Sequence, residues 1–122
     1  MFQDGLQKAL QHAKGARGIM LLGFDGIPIA SLYAEGWAEL EPRLLASGVE
    51  LANIVRKANT PDPDQEGLPL EELCAATRDL WTVARVVAGE FLLVLVMDRA
   101  KEPSAGSHAL RLLTPQIERE LR

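Results

Sequence analysis

The chain has 122 residues, of which 48% are hydrophobic and 25% are charged, and its formal net charge is −4. This length fits one domain rather than two, and the apolar fraction suffices for a core without a metal or disulfide. A mildly acidic chain with both charge signs spread along it is a poor candidate for binding nucleic acid or anionic lipid. A single cysteine excludes an internal disulfide and suits a reducing compartment. We therefore expect one cytoplasmic domain over residues 1–122.

Neither an export signal nor a membrane span is expected. Residues 1–5 have no basic region leading into an apolar run. The longest apolar run, Phe91 to Met97, is far too short to span a bilayer.

The first half of the chain predicts a helix, a hairpin and a longer helix. Apolar residues at helical spacing indicate a helix over 2–14. Two apolar runs, 16–24 and 27–32, flank Asp25-Gly26, which is a strong signal for a β-hairpin. The longest helical pattern covers 38–59, and its regular part should start near Glu41 because Pro42 is tolerated only in a first turn. A polar loop over 59–67 should follow it.

The second half predicts three strands and a closing helix. The strands cover 70–77, 80–88 and 91–97, and turns this short join antiparallel neighbours. The last helix should open at Pro103 with Ser104 as its N-cap. Pro115, inside that helix, should kink or split it.

The last strand indicates how the layers are arranged. Its apolar residues alternate between both faces, so it should be central and covered on both sides. The prediction is an α/β (α+β) domain with a five-stranded antiparallel sheet. The long second helix should cover one face, and the N- and C-terminal helices the other.

The segment from Ala16 to Ala30, with its apolar strand, Asp-Gly turn and proline-containing second strand, resembles the first hairpin of the Roadblock (dynein light chain 7) family. The order of elements extends this resemblance over nearly the whole chain, and the bacterial gliding-protein-B type is an analogue within the family. The resemblance implies a profilin-like three-layer fold and a homodimer whose sheets join edge to edge and whose long helices pack together. It also implies binding of a small Ras-like GTPase, as a scaffold or as a GTPase-activating partner.

The long helix carries the first candidate interface. Its apolar residues span an arc of about 220°, roughly twice what a helix on the surface of a single domain needs. Leu44, Gly48, Leu51 and Val55 should face the sheet. We expect one flank to pack on a second copy, and the alternative is a helix buried under its own loops, here the 59–69 segment. The candidate dimer residues on the helix are Leu45, Val49, Ala52 and Arg56.

The first strand of the meander carries the second candidate interface. It has one sequence-adjacent partner strand and small side chains, so it should be an open edge that invites another strand. The candidate dimer residues here are Leu73, Cys74, Ala75 and Ala76. The alternative for Cys74 is an ordinary buried cysteine.

The polar sector of the long helix is the candidate partner-binding surface. Under the family resemblance it would contact the GTPase through Arg43, Glu50, Asn53 and Lys57, and for any one of them a solvated surface is the simpler explanation.

Enzymatic and ligand-binding functions receive little support. No catalytic constellation is recognisable, so we expect a regulatory binding protein without catalytic residues or cofactors. His12 and His108 lack companions at metal-ligand spacing, so no metal site is expected. The second functional hypothesis is a small-molecule sensor of PAS or GAF type, which would need a polar-lined cavity.

Overall fold

The computed structural model describes residues 1–60 and 69–122. The elements in chain order are α1 (Gln3–His12), β1 (Ala16–Gly23), β2 (Pro28–Tyr33), a 3₁₀ helix (Ala38–Leu40), α2 (Glu41–Ala58), β3 (Glu72–Ala76), β4 (Leu80–Val87), β5 (Phe91–Asp98) and α3 (Pro103–Glu120). Their order agrees with the sequence prediction, and α2 begins at Glu41 as expected. Most of the predicted 59–67 loop lies outside the described residues. No helix of the described ranges is both long and apolar enough to cross a membrane.

The strands form one antiparallel sheet in the order β2-β1-β5-β4-β3. Strand β5 pairs with β1 on one side over residues 91–97 and with β4 on the other over residues 91–98. The hairpin β1–β2 and the meander β3–β4–β5 are therefore joined through β1 and β5, and β2 and β3 are the two edges. The five-stranded antiparallel sheet predicted from the sequence is confirmed.

Side chains of β5 alternate between two separate cores, as its apolar pattern predicts. Leu93, Leu95 and Met97 pack with α1 and α3. Leu92, Val94 and Val96 pack with α2. Burying each such side chain favours folding by about 1.5–3 kcal/mol. The predicted layers, with α2 on one face and the terminal helices on the other, are confirmed.

The hairpin turn shows why Asp-Gly stands between the two apolar runs. Gly26 has φ +85°, a left-handed conformation that glycine adopts without a steric penalty. The Ile27 amide donates to Oδ1 of Asp25 at 3.0 Å, which closes the turn. The turn residues thus fix the start of β2.

Two details of α3 differ from expectation. The N-cap is Glu102, whose side chain makes no capping hydrogen bond, so the assignment of Ser104 as N-cap was wrong. The helix also continues through Pro115 rather than splitting. Pro115 is exposed, and water can therefore satisfy the carbonyl that loses its amide donor.

The α3 helix offers a matched test of the core. Leu110 is 0% exposed and Leu112 is 58% exposed, although they stand two residues apart. We expect Leu110→Ala to lower the free energy of unfolding by about 2–5 kcal/mol because it leaves a cavity. Leu112→Ala should change it by less than about 0.5 kcal/mol. Urea denaturation measures both, and equal losses would contradict this placement of α3.

Candidate functional site

Helix α2 approaches the sheet closely at a glycine. A Cβ placed on Gly48 would lie 3.2 Å from Leu22 Cδ1 of β1 and 3.7 Å from Val94 Cγ2 of β5. The side chains buried around it are those of Leu44, Ala52 and Val55. Ala52 is 1% exposed, so its assignment to a dimer interface was wrong. Leu51 was expected to face the sheet but is only half-buried. The helix is rotated relative to that expectation, so that the smaller Ala52 faces the sheet.

The two flanks of α2 lie over opposite halves of the sheet. On one side Ser31 of β2 donates to Glu41 at 3.1 Å, and Val49 lies against Gly26 of the β1–β2 turn. On the other side Arg43 and Ser47 line a small cavity with Thr77 and Leu80, at the ends of β3 and β4. One flank of α2 therefore faces the β2 edge and the other faces the β3 edge.

Helical spacing assigns the remaining α2 residues to these flanks. Residues seven apart lie on nearly the same side of a helix. Arg56 therefore lies on the β2 side with Val49, and Ile54 lies on the β3 side with Ser47. Ile54 is 51% exposed, and Ala58, one turn later, is also exposed. The β3-side flank thus leaves apolar surface uncovered.

Within the part of the chain that the structure describes, strand β3 has backbone groups without partners at the edge of the sheet. Val86 N–H donates to Glu71 C=O at 2.8 Å, and Thr77 N–H donates to Leu80 C=O at 2.9 Å. In an antiparallel pair every second residue bonds inward. The odd-numbered residues therefore bond to β4, and the even-numbered ones, Glu72, Cys74 and Ala76, direct their N–H and C=O groups outward.

The side chains of β3 are small and exposed at its far end. Cys74 pairs with Val83 and Ala76 with Trp81, so both lie on the face that carries α3. Leu73 pairs with Ala84 and lies on the α2 face, as does Ala75. Cys74, Ala75 and Ala76 are exposed. The alternative of a buried cysteine is therefore wrong, and an incoming strand would meet no large side chain.

The predicted dimer residues fall on two separate sides of the molecule. Leu45, Val49 and Arg56 lie on the β2 side of α2, whereas Leu73, Cys74, Ala75 and Ala76 lie at the β3 edge. A single two-fold interface that uses β3 would instead bring in Ile54, which lies on the opposite flank of α2 and is 51% exposed. Its exposure could not be recognised before the helix was oriented on the sheet.

The predicted partner-binding residues form a charged row with one exception. Arg43, Glu50 and Lys57 are spaced by seven residues and are all exposed, so they line up along α2 beside Ile54. Asn53 is half-buried, and its Oδ1 accepts a hydrogen bond from Arg56 at 2.7 Å. The row offers positive, negative and positive charges along about 21 Å of helix.

The described residues place no group of three or more histidine, cysteine, aspartate or glutamate side chains where they could share a metal ion. His12 and His108 nevertheless come together, with ring centroids 5.6 Å apart. They lie on α1 and α3, on the face of the sheet opposite α2.

Solved structures with the same architecture include two bacterial gliding-type proteins. MglC from Myxococcus xanthus is 23% identical with a TM-score of 0.70, and the match covers 98% of each chain. Gliding protein mglB from Thermus thermophilus is 19% identical with a TM-score of 0.79, covering 96% of this chain and 85% of that one. A Roadblock/LC7 domain from Streptomyces avermitilis is 12% identical with a TM-score of 0.78, covering 96% and 94%.

The chain has a Roadblock-type fold. Profilin IB from Acanthamoeba castellanii, 16% identical and matched over 100% of both chains, has a TM-score of 0.66. The expected profilin-like architecture is therefore confirmed as well. No protein-family model and no curated protein matches the sequence, so the similarity is one of fold.

The Cys74 thiol is exposed and should nevertheless react slowly. Partial desolvation raises the pKa of Cys74 above its ordinary value, the Glu72 carboxylate raises this pKa further, and the Arg99 guanidinium opposes both. A raised pKa leaves less thiolate at neutral pH, and the thiolate is the nucleophile. We expect Cys74 to be alkylated more slowly than free cysteine at pH 7, with the rate rising as pH approaches the raised pKa. Alkylation faster than free cysteine would contradict this.

Proposed function

We propose that the chain is a homodimeric regulator whose paired long helices bind a small Ras-like GTPase. The observation that carries the dimer is that the open β3 edge and the exposed Ile54 flank of α2 lie on the same side of the molecule. One two-fold axis beside that edge would pair β3 with β3 and bring the two α2 helices into contact.

Both parts of this interface would satisfy groups that a monomer leaves open. The outward N–H and C=O groups of Glu72, Cys74 and Ala76 would bond to the second strand rather than to water. Exposed side chains of Ile54 and Ala58 would be buried against the second helix, which is the larger energetic gain per residue. A typical stable interface removes about 800 Å² per partner, roughly a ninth of the 7312 Å² that this chain exposes.

The GTPase partner rests on the fold and on the resemblance to the gliding-protein-B type. In such a dimer the two rows of Arg43, Glu50 and Lys57 would lie beside each other and form a charged platform. We place this platform in the cytoplasm, on a single domain covering residues 1–122, and assign it a regulatory rather than an enzymatic role. Whether it tethers the GTPase or also stimulates hydrolysis is decided by the assay below.

Among the described residues, the space between α2 and the sheet does not provide the cavity that the sensor alternative requires, and the larger groove of about 490 Å³ between α1 and α3 is open to solvent. The cavity between α2 and the sheet, lined by Leu44, Thr82 and Val96 among others, measures about 10 Å³. Small-molecule pockets of proteins are about 300–1,000 Å³. The interior beneath α2 is therefore filled by side chains and has no room for a ligand of that size.

A pair of substitutions on α2 tests the dimer. Ile54→Glu should convert the dimer to a monomer, because two carboxylates would be buried near the two-fold axis without partners. Val49→Glu carries the same change on the β2-side flank and should leave the dimer intact. Sedimentation equilibrium at micromolar concentration measures both, with circular dichroism to confirm folding. A monomeric unmodified protein, or dissociation by Val49→Glu alone, would contradict the assignment of the β3 side.

A second test concerns how GTP hydrolysis is stimulated. We expect Arg43→Ala and Arg56→Ala to weaken binding of the GTP form by a few fold, without abolishing stimulation, since both lie on α2 rather than on a reaching loop. Loss of a true arginine finger costs about 10³–10⁵ in rate. Residues 59–67 contain no arginine that could act as a finger. Arg99 is not free for that role either, because its guanidinium lies over the Trp81 ring at 3.9 Å.

The assay is single-turnover GTP hydrolysis with a bacterial Ras-like GTPase that binds this chain, at saturating regulator. Arg78→Ala, in the exposed β3–β4 turn, completes the set. Lys57→Glu should weaken binding more at low salt than at high salt, because salt screens an exposed charge. If one arginine variant loses stimulation while keeping its affinity, that arginine acts as a finger in the GTPase site. This result would refute the proposal that stimulation needs only binding to the α2 platform.

A further inference from the structure

The two histidines of the chain, the only two in its sequence, meet on the outer surface of the terminal helices. His12 is the last residue of α1, and His108 lies in the second turn of α3. Their ring centroids are 5.6 Å apart, and the ring planes are inclined by 38°. Both residues are exposed, so a metal ion in solvent can reach the two rings.

This spacing suits two imidazoles that share one metal ion. With a Zn–N bond of about 2.0–2.1 Å, the ion lies roughly 3.2 Å from the centroid of each ring. Two rings at a tetrahedral angle then have centroids about 5.2 Å apart, and two rings at 120° about 5.5 Å apart. The observed separation is within a few tenths of an ångström of both values.

We propose that His12 and His108 bind a divalent transition-metal ion of the zinc class, with water completing the coordination shell. Imidazole is a preferred ligand of Zn²⁺, Cu²⁺ and Ni²⁺. The site lies at the C-terminal end of α1, where the helix dipole is negative and favours a cation. Lys8, one turn before His12, and Lys14, two residues after it, oppose the ion electrostatically, so the site is weaker than a four-ligand structural zinc site.

The ion would bridge two elements that are far apart in the chain. Helix α1 has 10 residues, a length at which an isolated helix is marginal, so its stability comes from packing on α3 and the sheet. Gly5 approaches Leu113 of α3 there. A metal bridge at the other end of α1 would fix the helix at both ends. The site lies on the face opposite α2, so it is independent of the proposed GTPase platform.

The test uses tag-free protein and Zn²⁺ followed by isothermal titration calorimetry at neutral pH. A shared site requires both rings, so His12→Ala and His108→Ala should each weaken binding by at least about tenfold. Cys74→Ser is the matched control for a thiol ligand and should bind as the unmodified protein does. Affinity should fall on acidification, because protons compete with the metal ion for the imidazole nitrogens.

A second readout reports the bridge itself. Zn²⁺ should slow hydrogen exchange of the α1 amides in the unmodified protein and in Cys74→Ser, and leave it unchanged in both histidine variants. The proposal is overturned if no Zn²⁺ binds at micromolar concentration, if either histidine variant stays within threefold of the unmodified protein, or if Cys74→Ser abolishes binding. Binding without slower α1 exchange would refute the bridge.

Discussion

The burial of β5 on both faces and both edges is the constraint on which the rest of the structure depends. Its residues 91–97 bond to β1 and β4 at once, while its side chains alternate between the core beneath α2 and the core beneath α1 and α3. A strand in this position requires apolar residues at consecutive positions, and it requires a helical layer on each face. The three-layer architecture follows from that requirement, since neither helical layer could be removed without exposing half of the strand.

Because the central strand is covered on both faces, interaction surfaces lie at the sheet edges and on the outer sides of the helices. The two edges of the sheet differ. The β2 edge lies beside the Leu45 and Val49 flank of α2, and its Ser31 hydroxyl is bonded to Glu41. The β3 edge ends in Cys74, Ala75 and Ala76, whose small side chains leave the backbone accessible to another strand. It also adjoins the α2 flank that exposes Ile54. The β2 edge exposes Ile29 of its own strand, whereas the β3 edge combines small side chains with the exposed Ile54 of α2, which is why we assign the second copy to this side.

Features that depend on local sequence patterns were predicted correctly. The rotation of α2 on the sheet was not, because it depends on contacts between residues far apart in the chain. Alternation in β5 and the Asp25-Gly26 turn are encoded within a few residues, so the strands, their order and the layers could be inferred. The apolar arc of α2 is too wide to define one buried direction, so the helix could be rotated by a few tens of degrees without an obvious penalty. Close approach at Gly48 selects the rotation that places Ala52 inward and leaves Leu51 half-exposed. The His12–His108 contact joins residues 96 positions apart, and no local spacing rule could reveal it.

One asparagine connects α2 to the start of β3, the two elements that form the proposed interface. Asn59, directly after α2, donates through Nδ2 to Leu70 C=O at 3.0 Å and accepts at Oδ1 from Leu70 N–H at 2.6 Å. Its side-chain amide thereby pairs with the backbone as a neighbouring strand would, just before β3 begins. At the start of β3, Glu72 Oε2 accepts a hydrogen bond from the Ser107 hydroxyl of α3 at 2.7 Å. The start of β3 is thus fixed to α2 through Asn59 and to α3 through Glu72, so the open edge keeps its position relative to Ile54. An edge positioned in this way is preorganised for a second copy, because little further ordering is needed when the strands pair.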